Sequence, residues 1–275
     1  MHRGEIGVPV LGHVDYHGSG GDPVPKPGWS RDEARLRLWP RDRVLSGDII
    51  VEQNIHAIDV ANWFLQGPPC KACGTGGRKV RMKFGDCWDY FIVKFWYPNG
   101  VSVDFSSVQF AKGYYDICVR VYGSAGTVES HYGLGPRFGV DPRNDGYVAI
   151  TGENKWKGAG RDDTFTAGAV DNVKNFIESI RTGKHLNNAA ESVDSNLACI
   201  LGRMAAYRGG TATWDEMMEL NITLDAGLSV RVPAAARRPP RAGLGLSARN
   251  SCARGPAAPC RGRRSRECRS SRRRR

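Results

Sequence analysis

Residues 87–110 read CWDYFIVKFWYPNGVSVDFSSVQF, two runs with a hydrophobic period of two around Pro98-Asn99-Gly100. That period belongs to strands with one buried face, and a proline and glycine break between two such runs is a turn. The stretch predicts a hairpin with strands near 88–97 and 101–110. A second hairpin is expected in YYDICVRVYGSAGTVESHYG, turning at Gly123–Gly126, and GYVAITG at 146–152 adds a strand. Near the start, VPVLGHVDYHG alternates in the same way. Successive strands joined by short turns pair antiparallel.

Elsewhere the period is helical. SRDEARLRLW at 30–39 predicts a short helix stopped by Pro40. SGDIIVEQNIHAIDVANWFL at 46–65 predicts a helix capped by Ser46 or Asp48, with Val51, Ile55, Ile58 and Leu65 on one face. Near the end of the body, Val170, Val173, Phe176, Ile177 and Ile180 face one way, as do Val193, Leu197, Ile200, Leu201 and Met204. TWDE at 213–216 is a capping box. Strands in a block followed by helices in a block predict an α+β fold: a large, mostly antiparallel sheet with helices on one face. The other face needs a cover, and a second subunit supplies it.

The formal net charge of +12 invites a nucleic-acid reading, but its distribution does not support one. Residues 231–275 hold fifteen Arg, one Glu and no Lys, which leaves residues 1–230 close to neutral. Ala, Arg, Gly and Pro fill 32 of those 45 positions, too few apolar side chains to offset chain entropy. We expect a domain over 1–230 and a disordered basic tail over 231–275 with no specific nucleic-acid partner. The favoured residues have GC-rich codons and the switch after Ser229 is abrupt, so the tail reads as frameshifted. No run of about 18 apolar residues occurs, so no membrane span is expected. Cys70 and Cys73 form a C-x-x-C pair without a second pair, so no metal centre is expected there. The scattered cysteines suit reduced thiols in the cytoplasm.

Glu52, His56 and Asp59 recur at helical spacing, so their side chains are neighbours. Glu52 can fix the tautomer of His56 and raise its basicity, leaving the other ring nitrogen to move protons near neutral pH. The same spacing also makes a plain polar face, stabilised by about 0.2–0.5 kcal/mol per pair. His13, Asp15 and His17 alternate on one side of a strand and have the donor types for a divalent metal; an exposed polar edge is the alternative. GTGGR at 74–78 lacks the context of a phosphate loop. Trp63 and Trp88 are expected in the core.

SGDIIVEQNIHAIDVANWFL resembles the second-domain motif of the Gfo/Idh/MocA oxidoreductases: a Gly-rich turn, a carboxylate, His four residues on and Asp three after that. Further similar stretches follow in order: GTGGRKVR, GDCWDYFIVKFWYPNGV, VRVYGSAGTVESHYG, GAVDNVKNFIESIRTG and ESVDSNLACILGRMAAYR. The likeness spans roughly residues 5–228. It implies an oxidoreductase using NAD or NADP on a CH–OH group of a sugar, polyol or relative. By that resemblance His56 is the acid/base and Glu52 its support. Asn54, Asp59 and His131 are candidate substrate contacts, and no metal is required.

The sequence departs from the family pattern in three ways. Glu52 stands where many members have Asp, and Asn54 where many have Gly. The Rossmann half, with its cofactor contacts and Glu-Lys-Pro lysine, is not recognisable, so the chain reads as truncated and inactive alone. A homo-oligomer through the sheet face is expected. Two other classes stay open: a metal-dependent hydrolase or lyase using His13, His17 and His56, and a non-catalytic binding or assembly module.

Overall fold

In a computed structural model, which describes residues 2–112, 115–131, 146–158 and 164–229, the predicted hairpins form and are joined into one sheet by the strand near the start of the chain. Strand β1 (Pro9–His17) lies between β4 (Ser102–Val108) and β5 (Asp116–Gly123). It runs parallel to β4 and antiparallel to β5. A parallel neighbour needs a crossover, and the helices between residues 31 and 65 supply it: α1 (Arg31–Arg37), α2 (Arg43–Ser46), α3 (Ile49–Glu52) and α4 (Ile55–Leu65). On one side β4 pairs with β3 (Tyr90–Trp96), then β2 (Lys71–Gly77) and β9 (Thr211–Thr213). On the other, β5 pairs with β6 (Gly126–His131), β7 (Tyr147–Gly152) and β8 (Trp156–Lys157). The described sheet has nine strands, and β1–β4 is its one parallel pair, in line with the α+β expectation.

The register assigns each residue to a face, because alternate positions point opposite ways. Val14, Phe91, Val93, Phe95, Val103, Phe105, Val119 and Val121 form the buried face. Against it pack Ile49 and Ile50 of α3, Ala57, Ile58, Ala61 and Phe64 of α4, and Ala198, Leu201 and Ala205 of α6 (Ala189–Arg208). Helix α6 approaches closely at Gly202, where a β-carbon would lie 2.7 Å from the Phe95 ring. The chain continues into β9 and α7 (Trp214–Leu220), whose Thr213 side chain accepts from Glu216 N as the capping box requires.

Several expectations need correction. The helix predicted over 46–65 begins after Asp48, which caps it, and is two helices, α3 and α4, interrupted at Gln53-Asn54. The glycine-rich stretch 71–77 is strand β2, paired on both sides despite weak strand propensity. Its glycines have a use: a β-carbon on Gly76 would lie 2.5 Å from Tyr90 O. Helix α5 (Thr164–Thr182) forms, but Val170, Val173, Phe176, Ile177 and Ile180 are 43–64% exposed because that side is not laid on the sheet. Val193 and Trp63 are exposed too, against the expected burial. The basic tail, 231–275, lies outside the described residues.

The close approach at Gly202 is testable. Gly202→Val should lower unfolding free energy by about 1–3 kcal/mol, the usual effect of overpacking, in urea denaturation. An unchanged midpoint would contradict the packing described.

Candidate active site at the junction of two helices

The turn SGD, residues 46–48, fixes where α3 begins. Gly47 has φ 78°, and a β-carbon there would lie 2.9 Å from the Val51 side chain. Asp48 follows with φ 73° and ψ 167°, a region almost reserved for glycine. Such strain, about 1–3 kcal/mol, persists only where neighbours over-determine it. Here they do. The fully buried Asp48 carboxylate accepts Ile49 N at 2.7 Å and Trp88 N at 3.1 Å, and Tyr207 Oη donates to it at 2.5 Å. Arg203 Nη1 donates to Gly47 O at 2.8 Å, and Trp88 stacks on Tyr207 with ring centroids 3.8 Å apart. Burial pushes the Asp48 carboxyl above its ordinary range while these hydrogen bonds oppose the shift. One carboxylate therefore caps α3 and ties it to the entry of β3 and to α6.

Glu52 closes α3 one turn later, and His56 opens the first turn of α4. The break between them is shallow: His56 N donates to Gln53 O and Ala57 N to Asn54 O. Burial lifts the Glu52 carboxyl, while the nearby charges of Arg41 and His56 draw it down. Its Oε2 is buried without a hydrogen-bond partner, whereas His56 is exposed. The junction thus pairs a partly desolvated acid with an imidazole facing solvent. The acid can offset positive charge on the ring and so support proton exchange with a hydroxyl group.

The remaining predicted residues divide. Asp59 is on α4 next to His56, but Ser195 Oγ of α6 donates to its Oδ1 at 2.6 Å. Asn62 Nδ2 donates to Ser195 Oγ, and Tyr97 Oη donates to Asn62 Oδ1, so Asp59 ends a chain of bonds clamping α4 to α6. Asn54 is fully buried, with neither amide atom hydrogen-bonded, so it sits beneath the junction rather than lining it. His131 is not brought to His56 at all. Its register partner Cys118 faces Asp15, on the sheet face opposite α4. There His131 Nδ1 lies 3.1 Å from Asp116 Oδ1 and Nε2 lies 3.0 Å from Glu129 Oε1. The bond to Asp116, with one to Cys118, raises its pKa to about 10.

The same face holds His13 and His17, bound to Asp15 and Ser106. The sheet separates them from His56, so these three cannot share a metal ion. Among the described residues Asp116, Cys118 and His131 form a group with metal-ligand donor types, but both His131 nitrogens already meet carboxylates. Cys70 and Cys73 are free thiols. Sequence reasoning missed Arg41, whose charge acts on Glu52, and Arg81 and Gln109, which meet near it. Only the basic end of GTGGRKVR hinted at Arg81.

A family model described as the GFO/IDH/MocA C-terminal domain matches residues 1–129. No curated protein matches the chain. Among solved structures, the aldose-aldose oxidoreductase from Caulobacter crescentus complexed with glycerol is similar at 16% identity and TM-score 0.56, covering 77% of this chain and 57% of that one. The myo-inositol 2-dehydrogenase from Lactobacillus plantarum is 17% identical with TM-score 0.53, covering 77% and 58%. An oxidoreductase from Agrobacterium radiobacter in complex with NAD+, L-tartaric acid and magnesium is 14% identical with TM-score 0.55, covering 78% and 60%. At these identities the likeness establishes the fold. The chain spans less than two thirds of the length of each.

If Asp48 holds the junction, Tyr207→Phe should cost about 1–3 kcal/mol by leaving the buried Asp48 Oδ2 with only the longer bond from Trp88 N. Chemical denaturation at neutral pH measures this, and wild-type stability in the variant would contradict it.

Proposed function

We propose that the chain is a member of the Gfo/Idh/MocA oxidoreductase family, whose C-terminal-domain model matches its residues 1–129, and that it supplies the substrate and acid–base half of an NAD(P)-dependent oxidoreductase. The substrate is a sugar, polyol or relative oxidised or reduced at a CH–OH group. The observation that carries the reading is the Glu52–His56 junction: a half-buried carboxyl beside an exposed imidazole, one turn from a strained and fully bonded Asp48. The names of the solved relatives, which include glycerol and myo-inositol, support the hydroxylated substrate class.

The described residues do not fit a dinucleotide. Their glycine-rich stretch is strand β2, not a strand-to-helix turn, and the sheet has one parallel pair. The cofactor belongs to a nucleotide-binding domain of the kind the longer relatives have room for. This chain's own part is the oxygen end of the substrate. His56 takes the hydroxyl proton on oxidation and returns it on reduction, while Glu52 stabilises the charged ring. Asp59 holds α4 in place.

The open sheet face carries exposed Leu11, Ile92 and Tyr122 around the polar groups of β1, β5 and β6, which supports a homo-oligomer through that face. Among the described residues no helix is long and apolar enough to cross a membrane. Cys87, Cys118 and Cys199 are buried free thiols, which suits a reducing compartment such as the cytoplasm.

Mixed with a matching nucleotide-binding domain, the protein should oxidise a polyol with a rise in nicotinamide absorbance. His56→Ala should cut turnover by about 10²–10⁴-fold, the range for losing a general acid–base group. Unchanged turnover in that variant would remove the assignment.

A further inference from the structure

Two arginines forty residues apart meet at one peptide group. Arg41 Nη2 donates to Gly21 O at 2.7 Å, and Arg81 Nη2 donates to the same oxygen at 3.3 Å. Gly20 makes this approach possible, since a β-carbon there would lie 3.1 Å from Arg41 Nη2 and 3.2 Å from Arg81 Nη2. Gln109 joins them: its Oε1 accepts from Arg81 Nη1 at 3.4 Å and its backbone O accepts from Gly20 N at 3.1 Å. Arg81 and Gln109 are 5% and 1% exposed.

Among the described residues, the bonds of both guanidinium groups go to neutral carbonyl oxygens, not to a carboxylate. Of the neighbouring carboxylates several are committed elsewhere, while Asp22 Oδ1 and Glu52 Oε2 are buried without a hydrogen-bond partner. Asp89 accepts the backbone N–H groups of Lys79, Val80 and Arg81, Asp86 accepts Arg43 N, and Asp22 Oδ2 accepts Lys83 N. Asp22 and Glu52 favour the charge on Arg41 through space, against burial. Three buried donor atoms are left without acceptors: Arg41 Nε, Arg81 Nε and Gln109 Nε2. A buried cation beside a half-buried one, each with a spare N–H group, suits an oxyanion. The planar guanidinium fork matches a carboxylate or a phosphate.

We propose that Arg41, Arg81 and Gln109 form an oxyanion subsite beside Glu52 and His56, so that the substrate is a hydroxylated compound bearing a carboxylate or phosphate group. The subsite's place in catalysis rests on the function proposed above; its affinity for an anion does not. Glu52 links the two places, since its carboxyl feels the charge on both Arg41 and His56. Deletion of Arg41 would then weaken anionic substrates selectively.

Isothermal titration of the full chain with D-gluconate, D-glucose 6-phosphate and neutral sorbitol tests this. At least one anion should bind about tenfold or more tightly than sorbitol, and which one separates carboxylate from phosphate. Arg41→Gln should weaken that anion by about 10- to 100-fold, the usual effect of losing hydrogen bonds to a charged group. Arg41→Lys, which keeps charge without the fork, should weaken it several-fold and serves if the glutamine variant does not fold. Lys94→Gln, on the opposite sheet face, should leave it unchanged. Equal binding of sorbitol and both anions, no anion binding, or full affinity in both Arg41 variants would overturn the subsite. His56→Ala should keep anion affinity while losing coupled turnover. If the variant keeps both, the subsite stands and the acid–base assignment falls.

Discussion

The buried carboxylate of Asp48 is the constraint from which the site follows. It caps a four-residue helix too short to persist alone, and it does so from a backbone conformation that few residues adopt. The donors that hold it come from three directions: its own helix, the entry to β3, and Tyr207 on α6. Sheet and helix layer are therefore joined at a polar point here, as they are again at Tyr97, Asn62 and Ser195. Without that point, nothing in the hydrophobic contacts of Ile49 and Ile50 would fix the direction in which Glu52 leaves the core.

From there the sheet divides the molecule's polar groups into two sets with separate uses. On the helix side, Glu52, His56, Arg41, Arg81 and Gln109 gather near the ends of α3 and β4, with several donors and acceptors unspent. On the other side, His13, Asp15, His17, Asp116, Glu129 and His131 bond to one another and to Ser106, Arg120 and Tyr147. Most groups on that second face are bonded, Asp116 Oδ1 excepted, and a bonded network stiffens a face. The helix side holds more unpartnered buried polar atoms than the other face does. Histidines occur on both.

What could be read from the sequence depended on the range of the interaction. The hairpin around Pro98–Gly100 was legible because turn chemistry and period two agree over a few residues. The nearness of Glu52 and His56 was legible because it needs only one helical turn. The break at Gln53-Asn54 was not, since every residue there tolerates a helix. Strand β2 was hidden by its glycines, which suit close approach to Tyr90 and α6 but carry no strand propensity. His131 was misplaced because its face depends on the β5–β6 register, set two strands from β1. Arg41 and Arg81 were invisible as a pair, since only the backbone at Gly20-Gly21 joins them.

The proposed chemistry requires that Glu52 act through His56, as a support for the ring and not as an independent group. A double-mutant cycle on coupled turnover measures this directly. Glu52→Gln should slow turnover in the presence of His56, and the double variant Glu52→Gln/His56→Ala should lose no more than His56→Ala alone. Losses that multiply in the double variant would contradict the pairing and leave Glu52 with a role of its own.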